Sequence, residues 1–339
     1  MRKMLEKTSA KSSFRLIYKD ANTSMMDKYN FSRLLNFLHE KTRINYDVYR
    51  ANFVEKRLHS RMLRLKITDY GSYLQYLNNY PQEIQKFLQA FTINVSNFFR
   101  NPEVFNRVQE LIYAIMEQIG YIDTLNRLRT TSTQHASSML ARNGHDLFQN
   151  LEKLSIYRKI KQRRSSLLNI WSCACAGGQE PYSIAMMLDQ ITRTNPDFIK
   201  TRIIASDIDK EAIEEALAGV YSEDSMKEMG QFYKLTYFSK YKSQFGFKYT
   251  ISDDIKNQVT FLNEDVIKGH KMQEKYDIIF CRYMFIYIDR NQRDRILDVF
   301  FNHLNDGGLL IVGKTETLFN TYEALKLIDS RNHIYIKQV

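Results

Sequence analysis

The hydrophobic rhythm of the chain changes twice. From Tyr29 to about Ile112, apolar residues recur at three- and four-residue intervals, as in FSRLLNFLHEKT and DYGSYLQYLNNYPQEIQKFLQAF. That spacing predicts amphipathic helices. Residues 1–28 show no clear period. Around 113–166 the pattern loosens: TTSTQHASSMLARNGHD is polar and rich in small residues, and LFQNLEKLSIYRKIKQRR reads as helical and basic. From Leu167 onward, apolar runs (LLNIWSCA, TRIIASDID, QVTFLNED, YDIIFCRYMFIY, GGLLIVGK, HIYIKQV) alternate with helical segments such as PYSIAMMLDQI, KEAIEEALAG and NQRDRILDVFFNHL. This predicts a mostly parallel sheet with helices on both faces. From Val220 to Ile255, FYKLTYFSKY and FGFKYTI interrupt it with a small antiparallel excursion. The expected plan is an extension (1–28), a helical domain (29–112), a basic insertion or linker (113–166) and a sheet domain (167–339) with a β-subdomain at about 220–255.

Composition narrows the classes. The 339 residues are 44% hydrophobic, and no apolar run approaches the ~20 residues that span a bilayer. The first twenty residues carry too much charge for a signal peptide. The expectation is a cytoplasmic protein, monomeric and without membrane insertion. Cys173, Cys175 and Cys281 form neither a disulfide framework nor a CxxC pair, and the seven histidines show no HExxH, so no metal is expected. The net charge is +11, and more than half of it comes from residues 120–168, with nine Lys/Arg against three acids. Such a segment attracts nucleic acid, anionic lipid or acidic protein alike. A second basic stripe, Arg57, Arg61 and Arg64, is read as facing away from Val54, Leu58, Met62 and Leu65. It is either a solvated helix face or a dock for an acidic helix.

IWSCACAGGQEPYSIAMML breaks from strand to helix at Gly177-Gly178. In an open α/β sheet this is where ligands bind, beyond the carboxyl ends of the strands. Ala174, Ala176, Gly177 and Gly178 permit close backbone approach. The spacing is neither GxGxxG nor a phosphate loop, which favours an adenosine-type ligand without phosphates. Strand-end acids strengthen the case. Asp207 suits ribose hydroxyls, Asp209 suits either that role or a helix cap, and Asp265 and Val266 fall near an adenine end. Three such signals in order point to an S-adenosylmethionine fold.

These stretches, together with FTINVSNFFRNPEVF, VEKRLHSRMLRLKITDYGSYLQYL and GGLLIVGKTET, resemble the CheR-type chemotaxis protein-glutamate O-methyltransferases. The resemblance covers roughly Phe31–Ile112 and Leu167 to the end. It implies an α/β protein: an all-helical N-terminal domain, then a Rossmann-like S-adenosylmethionine-dependent methyltransferase domain with a small antiparallel β-subdomain. The implied reaction moves a methyl group from S-adenosylmethionine, leaving S-adenosylhomocysteine, to glutamates on the cytoplasmic helical domain of chemoreceptors. By resemblance Arg100 and Tyr287 are catalytic. Asn94, Ser96, Arg100, Glu180, Asp207, Asp265, Val266, Arg282 and Tyr283 contact the donor. The β-subdomain coincides with one that, in some relatives, binds a peptide at the receptor C-terminus. Asn101-Pro102-Glu103 reads as a helix start with Asn101 as cap, leaving Arg100 in the preceding turn.

Several positions depart from the family pattern, among them Ser96 for the usual Thr and Lys314 where His or Arg-like residues are also expected. Tyr283 stands where Asn is usual, Asp265 also replaces a frequent Asn, and the glycine loop has Gln179 for an acid and Ala176 for a hydroxyl. Tyr283, Gln179 and the 113–166 insertion motivate a second reading, a catalytically weakened donor-binding adaptor or sensor docking on receptors. A nucleic-acid methyltransferase is disfavoured. The four prolines never adjoin, so there is no Pro-Pro-aromatic motif, and no Pro-Cys nucleophile exists.

Overall fold

A computed structural model describes residues 25–92, 96–120, 151–162, 166–196, 198–244, 246–318 and 324–338. The chain divides into two compact units, Met1–Ile93 with Tyr287–Arg293, and Asn94–Ile286 with Asp294–Val339.

The first unit contains helices α1 (Met25–Thr42), α2 (Ala51–Leu65), α3 (Tyr70–Asn79) and α4 (Gln82–Phe91). Their apolar stripes meet in a core of Phe31, Leu34, Leu38, Leu58, Tyr73, Leu77 and Phe87. Lys66 ends α2 in the left-handed region, and Asp69 caps α3 by accepting from Ser72 N at 2.9 Å. Val54, Leu58 and Met62 face inward as their spacing required, but Arg61 does not join the exposed stripe. It is 8% exposed and makes a two-pronged pair with Glu83 of α4, both bonds at 2.8 Å, while Tyr73 donates to the same carboxylate at 3.3 Å. Periodicity placed Arg61 outside because Glu83, 22 residues away, is invisible to a local pattern.

The second unit opens with α5 (Pro102–Gln118) and α6 (Ser155–Gln162). Its strands and remaining helices follow in order: β1 (Leu167–Cys173), α7 (Gln179–Thr194), β2 (Lys200–Asp207), α8 (Lys210–Ala218), β3 (Val220–Ser222), α9 (Gln231–Tyr237), β4 (Phe238–Ser243), β5 (Gly246–Ile251), α10 (Asp253–Lys256), β6 (Val259–Asn263), β7 (Tyr276–Cys281), α11 (Arg290–His303), β8 (Leu304–Val312), β9 (Leu325–Asp329) and β10 (Ile334–Lys337). The main sheet has the order β6-β2-β1-β7-β8-β10-β9. β6, β2, β1, β7 and β8 are parallel, and β10 runs antiparallel to β8 and β9. The order reverses between β1 and β7, which opens a ligand crevice at their carboxyl ends. A separate sheet, β3-β5-β4, is the expected antiparallel excursion.

Three expectations change. The boundary at 112 falls instead after Ile93, because α5 buries Val104, Phe105, Val108, Leu111 and Ile115 in the core of the sheet unit. The segment 113–166 is not an insertion throughout. α5 runs on to Gln118, and Leu151, Leu154, Ile156, Tyr157 and Ile160 belong to that same core. Its basic residues had masked a short apolar stripe; residues 121–150 lie outside the described ones. Finally, YDIIFCRYMFIY is strand only to Cys281, since Tyr283 turns into the left-handed region at φ 64°.

Candidate active site

The strand-to-helix break is a tight, left-handed loop. Ala174, Ala176 and Gly178 all have positive φ. A side chain on Gly178 would meet Ala216 Cβ at 2.8 Å and the Tyr221 hydroxyl at 3.2 Å, so glycine is required there. Tyr221 donates to the Gly177 carbonyl at 2.8 Å, which ties the loop to the β-subdomain. At the end of β2, Asp207 accepts from Ala176 N at 2.8 Å and from Asp209 N at 2.9 Å. Burial raises its carboxyl to about 6, against the pull of those two amides. Asp209 is the helix cap, accepting from Glu211 N and Ala212 N. Asp209 thus takes the cap role its position offered, while the Asp207 carboxylate lies against the loop.

A cluster of charge lies beside this loop. Arg282, just beyond β7, reaches Glu180 at 3.3 Å with Nη1, and with Nη2 the Arg100 carbonyl at 2.6 Å and Asn101 Oδ1 at 2.8 Å. Glu180, at the start of α7, also accepts from the Ser172 hydroxyl at 2.8 Å. Its carboxyl is raised by burial and held down in part by Arg282. Tyr283 donates its hydroxyl to Asn101 Oδ1, and the Arg100 guanidinium carbon sits 3.6 Å from the centre of its ring. Asn101 occupies the cap position of α5 in the left-handed region but makes no cap hydrogen bond. Its side chain serves Arg282 and Tyr283 instead, correcting the expected cap.

The turn carrying Arg100 is pinned on all sides. Phe98 N donates to the Ser225 carbonyl at 2.9 Å and Phe99 N to Ser183 Oγ at 2.8 Å. Glu228 accepts from Asn101 N at 2.8 Å and from Asn97 Nδ2 at 3.3 Å. Neither Glu228 nor Ser183 stood out in the sequence, since ordinary surface helices contain both residue types. Glu316 belongs to the GGLLIVGKTET motif but had no role assigned to it. Buried just after β8, it accepts from Gly313 N and Tyr283 N, each at 2.7 Å, and from Ile286 N at 3.2 Å. Burial raises its carboxyl against those amides.

The other expected residues divide. Asp265 caps a short 3-10 turn through Ile267 N at 3.1 Å, with Val266 buried behind it at the end of β6. The neighbouring Glu264 anchors that turn, bonding His270 Nδ1 at 2.6 Å and Lys271 N at 3.2 Å. Ser96 is half-buried in the coil before Asn97, and Asn94 lies outside the described residues. Tyr287 belongs to the helical unit, where its ring lies 4.9 Å from that of Phe53 and its carbonyl accepts from Arg50 N at 2.9 Å. Cys175 and Cys281 are buried with thiol pKa values pushed well up, which makes them poor nucleophiles. Among the described residues no group of His, Cys, Asp and Glu could hold a metal ion.

Comparison with known proteins explains the arrangement. Residues 138–334 match the family model described as CheR methyltransferase, SAM binding domain, and residues 30–92 match CheR methyltransferase, all-alpha domain. The chain belongs to the CheR methyltransferase family. Two relatives, both chemotaxis protein methyltransferases, show the extent of the likeness. The one from Borreliella burgdorferi is 26% identical over 86% of this chain and 89% of its own. The one from Escherichia coli is 27% identical over 85% and 84%. This CheR-family chain is therefore an S-adenosylmethionine-dependent methyltransferase. Its residues fit the methyl donor: a side-chain-free cradle at Gly178, an enclosed Asp207 carboxylate at the β2 end, and an acid and an apolar residue at the β6 end.

Proposed function

We propose that this enzyme methylates glutamate side chains on the cytoplasmic helical domain of chemoreceptors, giving glutamyl methyl esters. What supports this reading best is the guanidinium of Arg100, which among the described residues has no ion pair and lies beside the Glu180–Arg282 pair. A guanidinium left with donors to spare favours an acceptor that arrives as an anion. A glutamate with a pKa of about 4.3 is ionised at neutral pH, so no general base is needed. The buried thiols, with pKa values pushed well up, offer none.

When bound, S-adenosylmethionine supplies a sulfonium-activated methyl group to an oxygen attacking opposite the carbon–sulfur bond. Asp207 would accept from its ribose, Asp265 and Val266 would border its adenine, and Glu180, Arg282, Asn94 and Ser96 would hold its amino-acid end. Arg100 orients the acceptor carboxylate, and alignment of this kind is the chief demand of in-line transfer. The role of Tyr287 rests on the motif alone. The edge strand β4, which exposes Tyr241 on one face while Lys240 and Lys242 flank exposed Phe247 of β5 on the other, is the surface we assign to a receptor C-terminal peptide. We place the enzyme in the cytoplasm with its substrate. Among the described residues no helix is long and apolar enough to cross a membrane.

The test is to incubate the enzyme with methyl-labelled S-adenosylmethionine and a receptor's cytoplasmic helical fragment, then treat the product with mild base. Label released as methanol supports an ester. Base-stable label, or none on any receptor fragment, removes the proposal.

A further inference from the structure

Tyr283 is the least expected residue of the cluster, a bulky phenol on a backbone with φ 64°, where a non-glycine side chain is uncommon. Its conformation is held from three sides. Glu316 accepts its N–H at 2.7 Å. Gly313 approaches so closely that a Cβ there would lie 2.9 Å from Tyr283 N. The phenol hydroxyl bonds Asn101 Oδ1, the atom that also accepts from Arg282. The result is a half-buried ring under the Arg100 guanidinium, 3.6 Å from its carbon, whereas Arg282 lies at 5.5 Å. Arg282 has three hydrogen-bond partners, but among the described residues no ion pair holds the guanidinium of Arg100. Its visible support is the ring.

We propose that Tyr283 is a positioning residue: its ring carries the Arg100 guanidinium, so that Arg100 meets the acceptor carboxylate from a set direction. The inference rests on the reading of Arg100 as the group beside the transferring methyl. A guanidinium supported on a ring face keeps its five N–H donors for another acceptor. A carboxylate partner would instead neutralise the charge and occupy those donors. The ring thus does what an acid could not: it restrains Arg100 without satisfying it. This also assigns a task to the phenol that stands at the position usually filled by Asn.

The experiment compares Tyr283→Phe, Tyr283→Asn and Arg100→Gln in the full chain, measuring kcat on a receptor fragment, affinity for S-adenosylhomocysteine and thermal unfolding. Asn tolerates positive φ, so Tyr283→Asn removes the ring without adding backbone strain. We expect Tyr283→Phe to keep at least about a third of kcat and Tyr283→Asn to lose about tenfold, the scale of a partly desolvated cation–π contact. Affinity for S-adenosylhomocysteine should fall by less than kcat does, because the role proposed for the ring is to direct Arg100 at the acceptor, over and above any contact of Tyr283 with the donor. In an Arg100→Gln background, Tyr283→Asn should lower kcat no more than about twofold further, since coupled residues are non-additive. Arg100→Gln turning over like wild type would remove the reading of Arg100 itself. An impaired Arg100→Gln removes only the role of Tyr283 if Tyr283→Asn is fully active, if Tyr283→Phe is as damaged as Tyr283→Asn, or if donor affinity falls in step with kcat. Should Tyr283→Asn fail to fold, Tyr283→Phe and Tyr283→His, which keeps an aromatic ring, decide the matter: loss of kcat in both overturns the proposal.

Discussion

Two arginine sites in the molecule use the same side chain to opposite ends. In the helical unit, Arg61 is matched to Glu83 by two parallel bonds of 2.8 Å, and Tyr73 completes the carboxylate. Both partners are buried and their charges cancel, so the pair has nothing left for a ligand. In the sheet unit, Arg282 shares Glu180 with Ser172, and Arg100 rests on an aromatic ring. There, among the described residues, Arg100 has no ion pair of its own. A paired guanidinium secures the fold, whereas one resting on a ring keeps its donors for a ligand.

Breaking each site in turn would sharpen that contrast. The largest effect should come from the balanced pair. Glu83→Ala leaves a buried guanidinium uncompensated, and urea unfolding should show a loss of about 3–5 kcal/mol. Arg100→Ala should do the reverse, reducing methyl transfer by about a hundredfold or more while the unfolding midpoint stays within error. Equal destabilisation by both changes would erase the distinction.

The next effect concerns pH. Asp207 has its carboxyl raised from 3.8 to about 6, so the folded protein retains that proton between those values. Its contribution to stability is therefore complete below 3.8 and is lost as pH rises through 6. Donor affinity runs the other way, because only the ionised carboxylate accepts two ribose hydroxyls besides its two amides. Calorimetric titration with S-adenosylhomocysteine should show binding about tenfold weaker at pH 5 than at pH 7, with Asp207→Asn flattening that dependence. The smallest effect is local. Asp209→Ala removes the cap of α8 and should cost about 1 kcal/mol of stability with donor binding nearly unchanged. A large affinity loss there would mean that Asp209 shares the role given to Asp207.

The alternation of strand and helix, the small-residue break at Gly177-Gly178 and the acids ending β2 and β6 were all legible by reading along the chain. They are local signals: a period, a spacing, a residue type without a side chain. The antiparallel excursion was legible for the same reason, though Gln231–Tyr237 inside it proved helical. The sheet's extra antiparallel strand β9 gave no clear signal, because LKLID is short and its middle residues are not buried. The unit boundary was misread because α5 carries the same helical period as the helices before it, and period does not say which core a helix serves.

By itself, then, the sequence determined the fold class, the order of the strand-end acids and the turn that holds Arg100. Only the tertiary structure decided which polar side chains meet. Arg61 finds Glu83 across 22 positions, Arg282 finds Glu180 across 102, and Tyr283 finds Asn101 across 182. Hydrophobic periodicity follows from backbone geometry and shows in any short window. A buried polar group must instead find its partner wherever the topology delivers one, and no local pattern records where that will be.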